Sequence, residues 1–329
     1  MQSIPYFRRL RKKNPTAEIH VLVEQCFADV AGFLPNIDRI ITVRLEDLLP
    51  DLAHDRTGNI SRAAAYYRGL IADLQAAKYS EVWNLTHTRP SMVMNYLLAN
   101  KSGQGVTLDH NGLQRVNSPW LAYFFATNLA RPWCSFNLVD IYANCVDGVP
   151  WDYGRSIRID PEVYAQHVGV QLPLDEQRTR VAIHPGASQK DKQWPTEKYR
   201  AVAKLLAAHP GTDIVLIAGP ADRKIAGQFA DVSNLINLVG KTTPEELAGV
   251  LSQCSLLISN DSGPMHIAAA VGTPVLDITV GSALASETAP YGAGHMVVEP
   301  DSACFPCPPR RPCPASECAE RISVETITE

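Results

Sequence analysis

Nowhere in its 329 residues does this sequence hold an apolar run long enough to cross a bilayer, which argues against a membrane-spanning helix. The opening residues M-Q-S-I-P-Y-F-R-R-L lack the long apolar core that follows the basic residues of a secretory signal. A large excess of one charge sign is missing too. Lys and Arg number 30 against 34 Asp and Glu, and the formal net charge of −4 gives no reason to expect nucleic acid as a partner. Internal repeats and low-complexity tracts are missing, so neither a repeat array nor a disordered tether is expected. What is present, 46% hydrophobic and 19% charged residues, describes an ordinary globular protein, expected in the cytoplasm. At this length two domains are comfortable, each able to bury most of its apolar surface.

Apolar stretches of strand length alternate with helical patterns, which predicts an α/β fold of parallel sheets covered by helices on both faces. In the first half, strands are expected at 18–23, 39–43 and 81–85, with helices at 4–13, 61–77, 90–99 and 119–129. The second half is clearer, with strands at 180–183, 213–218, 255–259 and 274–278 and helices at 196–208, 221–229, 244–253 and 264–271. Between them, residues 151–178 carry Pro161, Pro173 and the charged run Asp175-Glu176-Gln177-Arg178 and read as a connection. The expected domains are therefore 1–155 and 156–329, the second Rossmann-like, with its ligand loops at the carboxyl ends of its strands.

Two loops of that second half share a construction. Ser259-Asn260-Asp261-Ser262-Gly263-Pro264-Met265-His266 follows an apolar strand and opens an Ala-rich helix. A strand that breaks there and restarts as a helix offers free backbone N–H groups and a positive dipole end, which suits an anion. Asp261 suits sugar hydroxyls better than phosphate, so the segment offers donors for a diphosphate and an acceptor for a sugar. The plainer alternative is that Asp261 or Ser262 caps the helix and Gly263 makes the turn. The second loop, His184-Pro185-Gly186-Ala187-Ser188-Gln189-Lys190-Asp191-Lys192-Gln193-Trp194-Pro195, also runs from strand to helix. There Lys192 is a point charge for a phosphate, Ser188 a donor, and Trp194 the residue that packs the loop against the domain. A solvated surface lysine is the alternative for Lys192.

The order H-P-G-A-S, K-x-W-P, I-A-G-P-A-D (217–222), V-G-K-T (239–242), S-N-D-S-G-P-M-H and G-T-P-V (272–275) resembles glycosyltransferase family 9, which contains the ADP-heptose:lipopolysaccharide heptosyltransferases. The resemblance is strong over 180–325 and looser over the first 50 residues. It implies a GT-B architecture, two Rossmann-like domains facing across a cleft, and inverting, metal-independent transfer from a nucleotide-sugar donor to a lipopolysaccharide core acceptor. By the same resemblance, Ser188 and Lys192 contact the diphosphate, the backbone at Ser262 and Gly263 cradles it, and Asp261 holds donor-sugar hydroxyls. Asp222 falls near the ribose and Thr242 near the adenine, while His266 either contacts the donor or packs between helix and sheet.

Family members begin with a strand and a Gly-Asp turn whose Asp serves as catalytic base. In this numbering those residues would lie upstream of Met1, so the resemblance assigns no base within the chain. A late start codon, a degenerate copy, and a non-catalytic nucleotide-sugar-binding protein are the competing readings; another GT-B enzyme such as a UDP-sugar epimerase is a further one. Asp29, Glu24 and Asp109 are carboxylates of the first domain, with no context that selects one.

Two clusters stand apart from these motifs. Arg8, Arg9, Arg11, Lys12 and Lys13 gather on the first helix, either as a solvated face or as a patch for anionic lipid or a phosphorylated acceptor, which would make the protein peripheral at the inner membrane. Cys304, Cys307, Cys313 and Cys318 form C-x2-C-x5-C-x4-C within 304–318, a spacing open to a structural zinc, to disulfides, or to free thiols packing a Pro-rich loop. A cytoplasmic location disfavours disulfides. No cofactor is required by the chemistry implied.

Overall fold

The computed structural model describes residues 1–44, 57–99, 103–127, 133–150, 157–165, 172, 177–307 and 317–328, with side chains of the 57–76 helix from residue 64 onward. Two compact units divide the chain: one comprises Pro5–Ala130 and Asp140–Pro150, the other Met1–Ile4, Arg131–Val139 and Trp151–Glu329.

In the N-terminal unit, strands β1 (His20–Glu24) and β2 (Arg39–Val43) pair in parallel, and β3 (Trp83–Asn84) pairs in parallel with β4 (Gln104–Leu108) as a separate sheet. An antiparallel partner, β5 (Gln114–Val116), completes that second sheet. This pair departs from the all-parallel expectation. Its cause is local: Asp109 accepts from the N–H groups of Asn111 and Leu113 and closes a tight turn at Gly112, whose φ of +74° suits glycine. Helices Ile4–Lys13, Thr57–Ala76, Arg89–Leu98 and Pro119–Thr127 lie close to their expected positions. Thr88 caps the third of these by accepting from Ser91 N–H, with Pro90 in its first turn.

The C-terminal unit is built on six parallel strands: β6 (Thr179–His184), β7 (Thr212–Leu216), β8 (Leu235–Asn237), β9 (Leu256–Asn260), β10 (Val275–Ile278) and β11 (Met296–Val298). Their spatial order is β11-β10-β9-β6-β7-β8. Counted from β6, this is the doubly wound order 3-2-1-4-5-6 of a Rossmann sheet. Apolar runs such as Val181, Ala182 and Ile183 are buried without alternation, as strands covered on both faces must be. Trp194, Tyr199, Val202, Ile214, Leu216, Phe229, Ile258 and Ile278 meet in one core. Helix Pro244–Ser252 begins in a full capping box between Thr243 and Glu246, and helix Gly263–Val271 ends at Gly272 in the left-handed region.

Past the cysteine-rich segment, two short helices, Glu317–Arg321 and Val324–Thr328, bring Cys318, Ala319, Ile322 and Ile327 into that same core. Lys198 Nζ donates to the carbonyls of Glu320 at 2.8 Å and Ile322 at 3.1 Å, compensating the end of the first. Among the described residues no helix is long and apolar enough to cross a membrane.

Candidate functional site

In the parallel sheet of the C-terminal unit, the carboxyl ends of all six strands lie on one edge. The chain leaves β6 toward β7 and β8, and leaves β9 toward β10 and β11, although β6 and β9 are neighbours with His184 opposite Ser259. Where the connections diverge in this way, a doubly wound sheet opens its ligand crevice. Both loops singled out from the sequence emerge there.

Asn260, the last residue of β9, ties the two loops together. Its Nδ2 donates to the carbonyls of Pro185 at 2.9 Å and Gly186 at 3.2 Å, and its Oδ1 accepts from the Trp194 N–H at 2.9 Å. The side chain is fully buried. Trp194 anchors the loop's far end as expected: its ring is fully buried edge-on to Tyr199, and its Nε1 donates to the Ile322 carbonyl at 3.1 Å. Gly281 lets the loop close over β10. A Cβ there would stand 1.9 Å from the Asp191 carbonyl oxygen, and its φ of +65° is a second reason for glycine.

This frame sets Lys192 and Asp261 in contact. Lys192 Nζ donates to Asp261 Oδ2 at 2.9 Å, and the pair is largely withdrawn from water, with side chains 21% and 6% exposed. Lys192 is therefore not a solvated surface lysine. Thr288, the last residue of the short helix Ala285–Thr288 that follows β10, donates to the same Oδ2 at 3.1 Å. Ser262 occupies the N-cap position of helix Gly263–Val271 but gives the helix no side-chain cap. Its hydroxyl instead shares hydrogen bonds with Ser259 Oγ at 3.0 Å and His184 Nδ1 at 3.1 Å. The capping alternative is thereby set aside, and the first N–H groups of the helix remain available. Above Gly263 there is room: a Cβ at that position would meet nothing within 4 Å.

Two imidazoles frame the site, and burial depresses both to about 4, so both are neutral at physiological pH. For His266 the Asp261 carboxylate opposes that trend and the Lys192 ammonium adds to it, which places His266 in the field of the ion pair. Asp222 lies on the other flank, after β7. A Cβ on Gly186 would come within 3.0 Å of Asp222 Oδ2 and 3.3 Å of His184 Nε2, so glycine leaves open the space those atoms border. Ser188 is exposed and makes no hydrogen bond through its side chain among the described residues. Thr242 is half-buried in the loop after β8, and no hydrogen bond joins it to the Lys192–Asp261 group.

The remaining candidates separate. Within the N-terminal unit, Arg9 is buried and donates to Asn144 Oδ1 at 3.1 Å and the Val149 carbonyl at 2.6 Å. Arg11 pairs with Asp38 and bonds the Ala17 and Asn36 carbonyls. Two of the five basic residues thus hold the fold, Arg8 is half-buried, and of the five only Lys12 and Lys13 are exposed. Asp109, its carboxyl held below the usual range by two backbone N–H groups, is a turn residue.

Among the described residues no three His, Cys, Asp or Glu side chains converge as a metal would require. Cys304 is exposed, Cys307 is buried with its N–H on the Gly281 carbonyl, and Cys318 packs in the apolar core; none is in a disulfide. Cys313 lies outside the described residues.

Sequence reasoning missed Asn260 as a staple and Thr288 and His184 as parts of the site. Asn260 and His184 stood inside the motifs, where their strand-end positions were the available signal. Thr288 lies 27 residues from Asp261, and nothing local marks it.

The family model "Glycosyltransferase family 9 (heptosyltransferase)" matches residues 143–316, more than half of the chain. Lipopolysaccharide heptosyltransferase 3 of Escherichia coli K12 is 35% identical over 285 residues, covering 83% of this chain and 77% of that protein. A second lipopolysaccharide heptosyltransferase 3, also from Escherichia coli, is 27% identical over 83% of this chain and 78% of its own length. Among solved structures, E. coli ADP-heptose lps heptosyltransferase II matches with a TM-score of 0.69 at 18% identity, covering 99% of this chain and 92% of that one. E. coli heptosyltransferase WaaC with ADP matches at 0.67 and 20% identity, covering 99% and 93%. The fold is therefore GT-B, and the chain belongs to glycosyltransferase family 9, the heptosyltransferase family.

Proposed function

We propose that this enzyme transfers a heptose from ADP-heptose to a lipopolysaccharide core acceptor. The observation that carries the reading is the meeting of Lys192 and Asp261 at the β6–β9 switch point, a cation for the diphosphate beside a carboxylate for the sugar. The relatives' names supply the sugar and acceptor, since both are lipopolysaccharide heptosyltransferases. In this proposal the acceptor oxygen attacks the anomeric carbon opposite the diphosphate. The new C–O bond forms as the bond to the β-phosphate oxygen breaks, the electron pair leaves with ADP, and the configuration inverts. A general base takes the acceptor's proton; no residue of this chain is assigned that role.

Positive charge for the departing ADP comes from Lys192 and the uncapped N–H groups at Ser262 and Gly263, so the proposed chemistry calls on no metal. His184 and His266, neutral through burial, add no charge of their own, so the positive charge rests on Lys192 and the helix N-terminus. Asp222 faces the ribose and Thr242 the base, while exposed Lys12 and Lys13 with Arg8 provide a modest basic contribution toward anionic lipid at the cytoplasmic face of the inner membrane.

Calorimetric titration with ADP, UDP and ADP-heptose, followed by transfer to a heptose-deficient core acceptor, tests this reading. ADP-heptose should bind more tightly than UDP. Lys192→Ala should weaken ADP about tenfold or more, the loss of one charge-assisted contact, and Asp261→Ala should harm ADP-heptose more than ADP. Equal affinity for all three ligands would refute the donor assignment.

A further inference from the structure

Asp261 answers to two internal donors on a single oxygen. Lys192 Nζ and Thr288 Oγ1 both reach Oδ2, at 2.9 and 3.1 Å, and Oδ1 takes no hydrogen bond from the described residues. Thr288 closes helix Ala285–Thr288, and its single hydroxyl proton is shared between Asp261 Oδ2 and the Leu284 carbonyl 3.2 Å away, which holds the hydroxyl between the two oxygens. Three strand-end loops, those after β6, β9 and β10, thus converge on one oxygen atom.

From this arrangement we infer that Thr288 is a positioning residue that orients Asp261 for the donor sugar, an inference that rests on the proposed ADP-heptose reading. Lys192 is asked to serve two anions. When a diphosphate enters, the ammonium is drawn toward it, and the carboxylate loses its stronger partner while still largely buried. A buried carboxylate left without a donor turns toward whatever donor remains, and that change spoils its aim as an acceptor. Thr288 does not touch phosphate in this scheme, so its hydrogen bond persists through binding. It keeps Oδ2 turned inward and leaves Oδ1 facing the hydroxyls of a polyhydroxylated sugar on a nucleoside diphosphate. Asp261 then discriminates between nucleotide and nucleotide-sugar because its orientation does not depend on Lys192 alone.

Thr288→Val, Thr288→Ser and Asp261→Asn, titrated with ADP and with ADP-heptose, test the inference. Thr288→Val is nearly isosteric and removes only the hydroxyl. Expected are ADP affinity within about twofold of the parent, ADP-heptose affinity reduced by about tenfold, and recovery of most of that loss in Thr288→Ser. A purely structural role would weaken both ligands alike or leave Thr288→Ser as impaired as Thr288→Val, and either result overturns the inference. If Asp261→Asn collapses the preference for ADP-heptose while Thr288→Val keeps it, Thr288 is not the positioning residue but the reading of the site stands. An unchanged preference in Asp261→Asn would remove the sugar role of Asp261, and the inference with it.

Discussion

Asn260→Asp puts the loop staple to its hardest test, because it changes one nitrogen to oxygen and leaves shape almost untouched. In the parent, Nδ2 donates to two carbonyls and Oδ1 accepts from the Trp194 N–H, all inside a side chain with 0% exposure. The substitution keeps the accepted bond and replaces both donated ones by a carboxylate oxygen facing two carbonyl oxygens. Two lost hydrogen bonds cost about 1 kcal/mol each, and leaving buried carbonyls unpaired adds about 1–3 kcal/mol, for roughly 3–5 kcal/mol in all. Spread over a unit of this size, that lowers its melting temperature by about 6–20 °C. The sign of the pH dependence follows from burial. The new carboxyl has its pKa raised in the folded state and near 3.9 in the unfolded chain, so the unfolded state releases the proton first and stability falls as pH rises above about 4. Protonated, the carboxyl can again donate to one carbonyl, and part of the loss returns. Thermal unfolding at pH 5 and pH 8, followed by near-ultraviolet dichroism of Trp194, reads both effects. A variant melting within 2 °C of the parent at pH 8, or with the parent's pH slope, would refute the claim that Asn260 holds the loops.

Three further perturbations follow from the same frame. Gly281→Ala forces a Cβ into the Asp191 carbonyl, so the loop bearing Lys192 must shift; ADP affinity should drop by roughly an order of magnitude or more, and an unchanged titration would show that the loop approach is soft. Asp277, fully buried, has its pKa raised to about 8, by burial first and the Asp261 carboxylate second. Its folded state keeps the proton that the unfolded chain gives up near 4, so it erodes stability as pH climbs from about 4 to 8. Asp277→Asn should flatten the melting-temperature profile across that window, and a slope equal to the parent's would contradict a neutral carboxyl there. Because His184 and His266 are already neutral above about pH 5, ADP affinity should not change with imidazole titration between pH 6 and 8; a step near pH 6.5 that disappears in His266→Asn would overturn that assignment.

Much of the C-terminal unit was legible in the sequence because each element carries its own signal. Continuous apolar runs mark strands buried on both faces, Pro195 and Pro264 mark helix starts, and Gly272 marks a helix end. What escaped was short or polar. Three-residue edge strands β8 and β11 lack a period, and the β4–β5 pair is announced only by the D-H-N-G turn between unremarkable segments. The terminal helices lie beyond a Pro- and Cys-rich stretch that hides their purpose, although Cys318 and Ile322 prove to be core residues.

For the basic residues of the first helix, spacing shows that they share a helix but not what each one meets. Arg9 and Arg11 became structural only once Asn144, Val149 and Asp38, distant in sequence, arrived beside them. The sequence by itself determined that Lys192 and Asp261 would stand at strand ends opening toward a ligand, since strand-to-helix breaks place such loops on one edge of a parallel sheet. Only the tertiary structure decided that they form an ion pair, that Thr288 shares it, and that Asn260 staples the loops rather than a ligand. Hydrogen bonds between residues 27 to 75 positions apart depend on the order of the strands, and strand order is fixed by packing of the whole core, not by any local pattern.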